Sequence, residues 1–280
     1  MPDREGFPAG VPAWIDTEQP DPDAAARFYE ALFGWRFEDR TPDDLEGRWL
    51  VATLEGRDVA AVASSLPGAR AATWNTYVAV ESADATAARV VEAGGRVVRA
   101  PSSIGSHGRA ATCADPSGVE FRIWQPDGLK GAQAVNVAGA WNWSDLHTDA
   151  VDTARRFYGD VFGWEVDEVD LGDAPSTMIR LPGYADFLEQ FDPGIRQRHA
   201  DFGAPPGFSE CVGWMHRTDD GEAPHWGVTF TVDDTYGIAG AARELGGTVA
   251  VEPFDVAPVR SASLVDPQGA AFSVNSFNPG

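Results

Sequence analysis

The stretch Ala25 to Trp35 reads Ala-Ala-Arg-Phe-Tyr-Glu-Ala-Leu-Phe-Gly-Trp, and Ala154 to Trp164 reads Ala-Arg-Arg-Phe-Tyr-Gly-Asp-Val-Phe-Gly-Trp, 129 positions later. The chain is therefore an internal duplication. A period of this size is too long for a solenoid unit and suits a whole small domain. A second ruler gives a different offset. Asp115-Pro116-Ser117-Gly118 matches Asp266-Pro267-Gln268-Gly269 at 151, so about 22 residues are inserted in the second copy alone. The stretch Gly183 to Ser209 holds them best, with a short helix expected around Asp186 to Glu189. An insertion of this length is a candidate lid, or a surface excursion with no role.

Each copy contains the same succession twice: a short strand, a helix, then three strands. In the first copy Trp14 to Thr17 is extended, and Asp21, Pro22 and Asp23 open a helix that runs through Phe33 and stops at Gly34. Ala25, Phe28, Tyr29 and Leu32 recur at spacings of three and four, the stripe of a helix packed on a sheet, so the Phe-Tyr motif reads as core. Strands follow near Arg48 to Leu54 and Val59 to Ser64, with turns at Glu55-Gly56 and Pro67-Gly68. The pattern then restarts. Trp74 to Val80 is a strand, Ala83 to Ala93 a helix closed by Gly94 and Gly95, and three strands end near Trp124. The second copy repeats this order, with helices at Asp149 to Phe162 and before Leu245. Four β-α-β-β-β units are expected, in an α+β chain divided into domains 11–127 and 140–278 by a linker at 128–139.

Composition narrows the partners. With 21 Lys and Arg against 43 Asp and Glu, the formal net charge is −22, which opposes nucleic acid and anionic membrane. No stretch approaches the roughly 20 apolar residues of a membrane span, and Met1 to Gly10 lacks the apolar core of a secretory signal. Cys113 and Cys211 occupy unrelated places in the two copies, which suits reduced thiols in a cytoplasmic protein better than a disulfide.

The four units, the Phe-Tyr-x-x-Leu-Phe-Gly-Trp helix end and the Asp-Pro-x-Gly before each last strand resemble the vicinal oxygen chelate superfamily. Glyoxalase I, extradiol dioxygenases and bleomycin-resistance proteins belong to it, as do tandem actinobacterial hydroxylase-like and glyoxalase-like members. The resemblance implies two open, curved, barrel-like sheets around cavities. It also implies a divalent metal held by His, Gln or Glu on the first strand of each unit and by Glu on the last. In this chain those positions fall on Trp14 and Trp143, Asn75 and Gly227, and Arg122 and Ser273. None of the six suits a cation, since indole and guanidinium have no free lone pair to give. No metal and no cofactor is expected at the usual positions.

Strand alternation then assigns the cavity walls. Trp14, Asp16, Asn75, Tyr77, Arg122 and Trp124 would line the first; Trp143, Asp145, His147, His225, Thr229, Ser273 and Asn275 the second. Indoles at the former metal positions would offer flat stacking surfaces to a planar or hydrophobic small molecule, such as an antibiotic or metabolite, or would plug unused space. Trp74 and Trp226 have the opposite parity and belong under the helices. His147 and His225 should approach one end of the second cavity, with Asp145 and His216 as companions. Asp145 and His147 are candidate acid-base catalysts, two histidines with Asp145 could hold a divalent transition metal at a shifted site, and a structural or solvated role is the alternative. Arg109 and Arg260, paired at offset 151, suggest hairpin salt bridges. The duplication could build within one chain the cavity that single-domain relatives build by dimerising, so a monomer is expected over a homodimer.

Overall fold

A computed structural model describes residues 6–65, 72–170, 175–218, 221–256 and 258–278. The Pro67-Gly68 turn lies outside the described residues. Four units appear in the expected order. The first is β1 (Pro12–Gln19), α1 (Pro22–Phe33), β2 (Arg36–Asp39), β3 (Trp49–Leu54) and β4 (Arg57–Ser64). The second is β5 (Thr73–Ala79), α2 (Ala83–Glu92), β6 (Arg96–Ile104), β7 (Gly108–Ala114) and β8 (Glu120–Pro126). The second copy gives β9 (Trp141–His147), α3 (Val151–Phe162), β10 (Glu165–Asp170), β11 (Pro175–Arg180) and β12 (Cys211–His216). It ends with β13 (His225–Thr231), α6 (Thr235–Glu244), β14 (Thr248–Val256), β15 (Val259–Val265) and β16 (Ala271–Phe277).

The sheets follow the duplication. Their orders are β2-β3-β4-β1-β5-β8-β7-β6 and β10-β11-β12-β9-β13-β16-β15-β14, each curved and unclosed. Within each unit the first strand lies parallel to the last, as in β1 with β4 and β9 with β12, and the remaining pairs are antiparallel. The helix signals act as read. The Asp21 side chain accepts the Ala24 N–H at 2.9 Å, and Gly34 ends α1 in the left-handed region at φ 73°, which a side chain would strain. Helix α3 starts two residues later than expected, because Ala150 precedes it with no side-chain cap.

Compactness divides the chain differently from sequence. One unit gathers 1–13, 77–130 and 144–226; the other gathers 14–76, 131–143 and 227–280. The two duplicated motifs explain this division, each acting inside its own unit. In the second unit Tyr29 on α1 is fully buried and its hydroxyl donates to Asp266 Oδ2 at 2.9 Å, while the Trp74 indole donates to that hydroxyl at 3.0 Å. Gln19 Nε2 at 2.7 Å and the backbone N–H groups of Gln268 and Ala270, both at 2.9 Å, complete the shell of the Asp266 carboxylate. In the first unit Tyr158 reaches Asp115 at 3.4 Å, and Trp226 donates to Tyr158 at 3.1 Å. Thus the Tyr of the helix motif meets the Asp of the Asp-Pro-x-Gly motif from the opposite copy. A buried carboxylate is tolerable only when so surrounded.

The Phe-Tyr helices are core, as the periodicity indicated: Phe28, Leu32, Phe33, Phe157 and Val161 are buried, and so are Trp74 and Trp226. Arg260 forms its hairpin pair with Asp255 at 2.7 Å, opposite in register. Arg109 does not. It reaches Asp84 in the first turn of α2 at 3.0 Å, so the matched positions carry unlike ion pairs. Both cysteines are buried free thiols. Among the described residues no helix is long and apolar enough to cross a membrane.

Candidate functional site

The two copies part company on their first strands. Trp14 and Asp16 on β1 are 1% and 2% exposed. Their counterparts Trp143 and Asp145 on β9 are half-buried, as is His147 two residues on. Most of the first-copy residues expected to face a ligand are buried, Asn75 being half-buried, and several bond to one another. Asp16 accepts from Asn75 Nδ2 at 2.8 Å, the Tyr77 hydroxyl accepts from Arg122 at 3.0 Å, and the Trp124 indole donates to the Leu129 carbonyl at 3.0 Å. Tyr77, Arg122 and Trp124 are all buried.

At the end of β9 the polar groups collect, all within residues 144–226. Strand β12 runs parallel to β9 with Trp214 opposite Asp145 and His216 opposite His147. The Trp214 N–H donates to Asp145 Oδ1 at 3.2 Å. Burial pushes the Asp145 carboxyl up to about 7, opposed by that N–H. His147 and His225 stack with ring centroids 4.6 Å apart and planes 11° from parallel, and His216 lies 5.5 Å from His147. The two histidines therefore meet as strand direction suggested. Glu222, which sequence reasoning did not single out, joins them, with carboxylate oxygens 3.7 Å from His225 Nδ1 and 4.0 Å from His147 Nδ1. Its signal was the spacing Glu222-Ala223-Pro224-His225. Thr229, Ser273 and Asn275 are half-buried on β13 and β16, where Thr229 pairs with Ser273 and Thr231 with Asn275.

The insertion builds the wall beside Trp214. It forms α4 (Tyr184–Phe191), which contains the expected Asp186 to Glu189 turn, then α5 (Ile195–Asp201) and a 3₁₀ turn at Phe208–Glu210. Tyr184 and Ile195 anchor it in the core, and Glu210 accepts the Gly183 N–H at 2.8 Å and pairs with Arg180 at 2.9 Å. Its Phe208 ring then sits 6.3 Å from Trp214 and 5.0 Å from His199. Two surface cavities lie elsewhere. One of about 350 Å³ is lined by Phe7, Ala79, Glu81 and Gln125, and one of about 400 Å³ by Leu32, Phe33, Asp233 and Ile238.

The six positions that would carry the superfamily metal do not fit one. Trp14 is sealed, Asn75 and Arg122 are committed to Asp16 and Tyr77, and Trp143, Gly227 and Ser273 offer no strong donor.

Paired β-α-β-β-β units with parallel first and last strands, in two open eight-stranded sheets, define a vicinal-oxygen-chelate fold. Comparison with known proteins agrees. Residues 17–123 match the family model of the Glyoxalase/Bleomycin resistance protein/Dioxygenase superfamily, and 144–275 match a Glyoxalase-like domain. The chain belongs to the glyoxalase/bleomycin resistance/dioxygenase superfamily. It is 36% identical to a putative glyoxylase, CFP32, of Mycobacterium tuberculosis, over 98% of this chain and 97% of that one. It is 34% identical to the anthracycline biosynthesis protein DnrV of Streptomyces peucetius, over 98% and 96%. Among solved structures, the Mn(II)-bound glyoxalase of Novosphingobium aromaticivorans superposes with a TM-score of 0.60 at 17% identity, covering 96% of this chain and 82% of its own. The 2,3-dioxygenase LapB of Pseudomonas sp. KL28 gives 0.62 at 11%, covering 97% and 93%.

Proposed function

We propose that this chain binds a small planar organic molecule, an antibiotic or metabolite, on the β9 face of its second copy. One observation carries the reading: Trp143, Asp145 and His147 stay half-buried where the matching Trp14 and Asp16 are sealed. Half-exposed indoles beside a carboxylate and imidazoles supply stacking area together with orienting polar groups, the usual make-up of a small-molecule site. Phe208 of the insertion enlarges the aromatic wall beside Trp214. The relatives named for anthracycline biosynthesis, 34% and 35% identical, point to a fused-ring ligand class.

Isothermal titration with a panel of anthraquinones tests this. The expected result is saturable binding weakened about 3- to 10-fold by Trp143→Ala or Trp214→Ala, the size of one aromatic contact, and unchanged by Trp124→Phe. Binding indifferent to both indole substitutions would refute it. A second reading, turnover of the ligand with Asp145 and His147 moving a proton, draws on the glyoxylase and biosynthesis names of the relatives. Chromatography of recovered ligand separates the two, since sequestration returns it unchanged. Catalysis would convert it, and His147→Ala would abolish conversion while leaving binding.

A further inference from the structure

We propose that His147, Glu222 and His225 form a site for one divalent transition metal of the zinc or ferrous class, displaced from the positions the superfamily uses. The site stands on its own geometry and does not depend on the ligand reading above. Each of the three residues offers a ligand atom, and these atoms all lie within 4.8 Å of one another. A four-coordinate ion with bonds of about 2.0–2.2 Å places its ligand atoms roughly 3.3–3.5 Å apart. Closing of order 1 Å completes the set. The side chains retain 30%, 36% and 42% of their exposure, so they have room to turn and an ion has a path to reach them.

The surroundings favour ligation over a chance meeting. His147 is the last residue of β9, and the next backbone group, the buried Thr148 N–H, donates to the His216 carbonyl at 2.8 Å, which fixes where the imidazole leaves the sheet. His225 Nδ1 lies 3.0 Å from the Ala223 carbonyl. This contact orients the imidazole beside Glu222, as outer-shell carbonyls orient metal-binding histidines. Below, the Thr218 hydroxyl donates to Asp149 at 2.7 Å and tethers the segment leaving β12. Two imidazoles and one carboxylate suit a borderline ion better than Mg²⁺ or Ca²⁺, which prefer oxygen throughout. Three protein ligands also leave a coordination position for solvent or an oxygen-bearing ligand. The inherited ligand positions lie elsewhere: His147 is four residues beyond Trp143, His225 two before Gly227, and Glu222 is outside the sheet.

The test is calorimetric titration of Zn²⁺ into tag-free, chelator-stripped full-length protein, with millimolar Mg²⁺ present to occupy the surface carboxylates of a chain with net charge −22. A parallel Co²⁺ titration reads the visible d–d spectrum. The expected result is one Zn²⁺ per chain with a Kd below about 1 µM and Co²⁺ bands of a nitrogen-containing site. His147→Ala and His225→Ala should each weaken binding about 100-fold, and Glu222→Gln about 10-fold. His107→Ala, on the distant β6–β7 turn, should not change it. Absence of stoichiometric binding in the wild-type protein overturns the proposal, as does binding that any of the three substitutions leaves intact. Failure here leaves the anthraquinone titration unaffected, so the two readings fall separately.

Discussion

Removing one hydroxyl, Tyr29→Phe, tests whether the duplicated motifs hold the compact units together. The hydroxyl gives a 2.9 Å bond to Asp266 and receives a 3.0 Å bond from the Trp74 indole, all three groups being buried. Deleting it removes one of four donors from a carboxylate, and bonds to charged groups are worth about 1.5–3 kcal/mol. It also leaves a buried indole N–H without an acceptor, a further penalty of about 1–3 kcal/mol that local relaxation reduces. A net loss of about 3 kcal/mol follows. Tyr158→Phe should cost about 1 kcal/mol less, because its bond to Asp115 is longer at 3.4 Å. Tyr236→Phe, on a side chain 58% exposed, should cost under about 0.5 kcal/mol. Urea denaturation followed by circular dichroism reads all three. A double cycle with Trp74→Phe should return a coupling of about 1 kcal/mol for the Tyr29–Trp74 contact. If Tyr29→Phe is no worse than Tyr236→Phe, the motif pairing does not stabilise the fold and the argument fails.

Other substitutions and reagents probe different parts of the fold. A Cβ on Gly95 would lie 2.6 Å from the Ala114 carbonyl and 2.7 Å from the Phe157 ring, so Gly95→Ala should destabilise by about 1–3 kcal/mol in the same urea assay. Gly240→Ala, with nothing within 4 Å of its Cβ on α6, should instead stabilise by up to about 1 kcal/mol. Burial pushes the Cys113 thiol up to about 12 and the Cys211 thiol higher still. Neither should react with a disulfide reagent at pH 8 until urea is added, whereupon two thiols per chain should appear. Because the folded thiols hold their protons where unfolded ones release them, their contribution to stability is fully present below the ordinary thiol range and falls as pH rises from there toward the raised folded value of about 12. Denaturation midpoints that stay level from pH 8 to pH 10.5 would contradict that sign.

What could be read from sequence was what local chemistry decides. Asp21 and Pro22 opened α1, Gly34 closed it, and a stripe at spacings of three and four named its buried face. Strand parity likewise put Trp74 and Trp226 in the core and brought His147 beside His225. The partner of Tyr29 was not legible, because Asp266 lies 237 residues away in the other copy and no periodicity links them. The hydrogen bonds of the first copy were hidden for a similar reason. Parity assigns a face to Asp16 and to Tyr77 but does not say that Asn75 will donate to the one and Arg122 to the other. Glu222 sits before β13 in a segment with no repeat pattern, where only its spacing to His225 could have drawn notice.

The two first strands differ in what surrounds their matched residues. A buried polar group costs free energy unless it is hydrogen-bonded. In the first copy Asp16 accepts from the Asn75 amide, and the Tyr77 hydroxyl accepts from Arg122. In the second copy Gly227 and Ser273 stand where the first has Asn75 and Arg122, and neither supplies the amide or the guanidinium found there. Asp145 then has the Trp214 N–H where Asp16 has a side-chain amide, and the strand face stays half-open. The 22 extra residues fall in this copy and bring Phe208 against Trp214, next to the half-open strand. Removing the ring that the insertion supplies, by Phe208→Ala, should therefore leave stability nearly unchanged while weakening anthraquinone binding about 3- to 10-fold. If that substitution leaves binding unchanged, the opening beside β9 is not where the ligand sits.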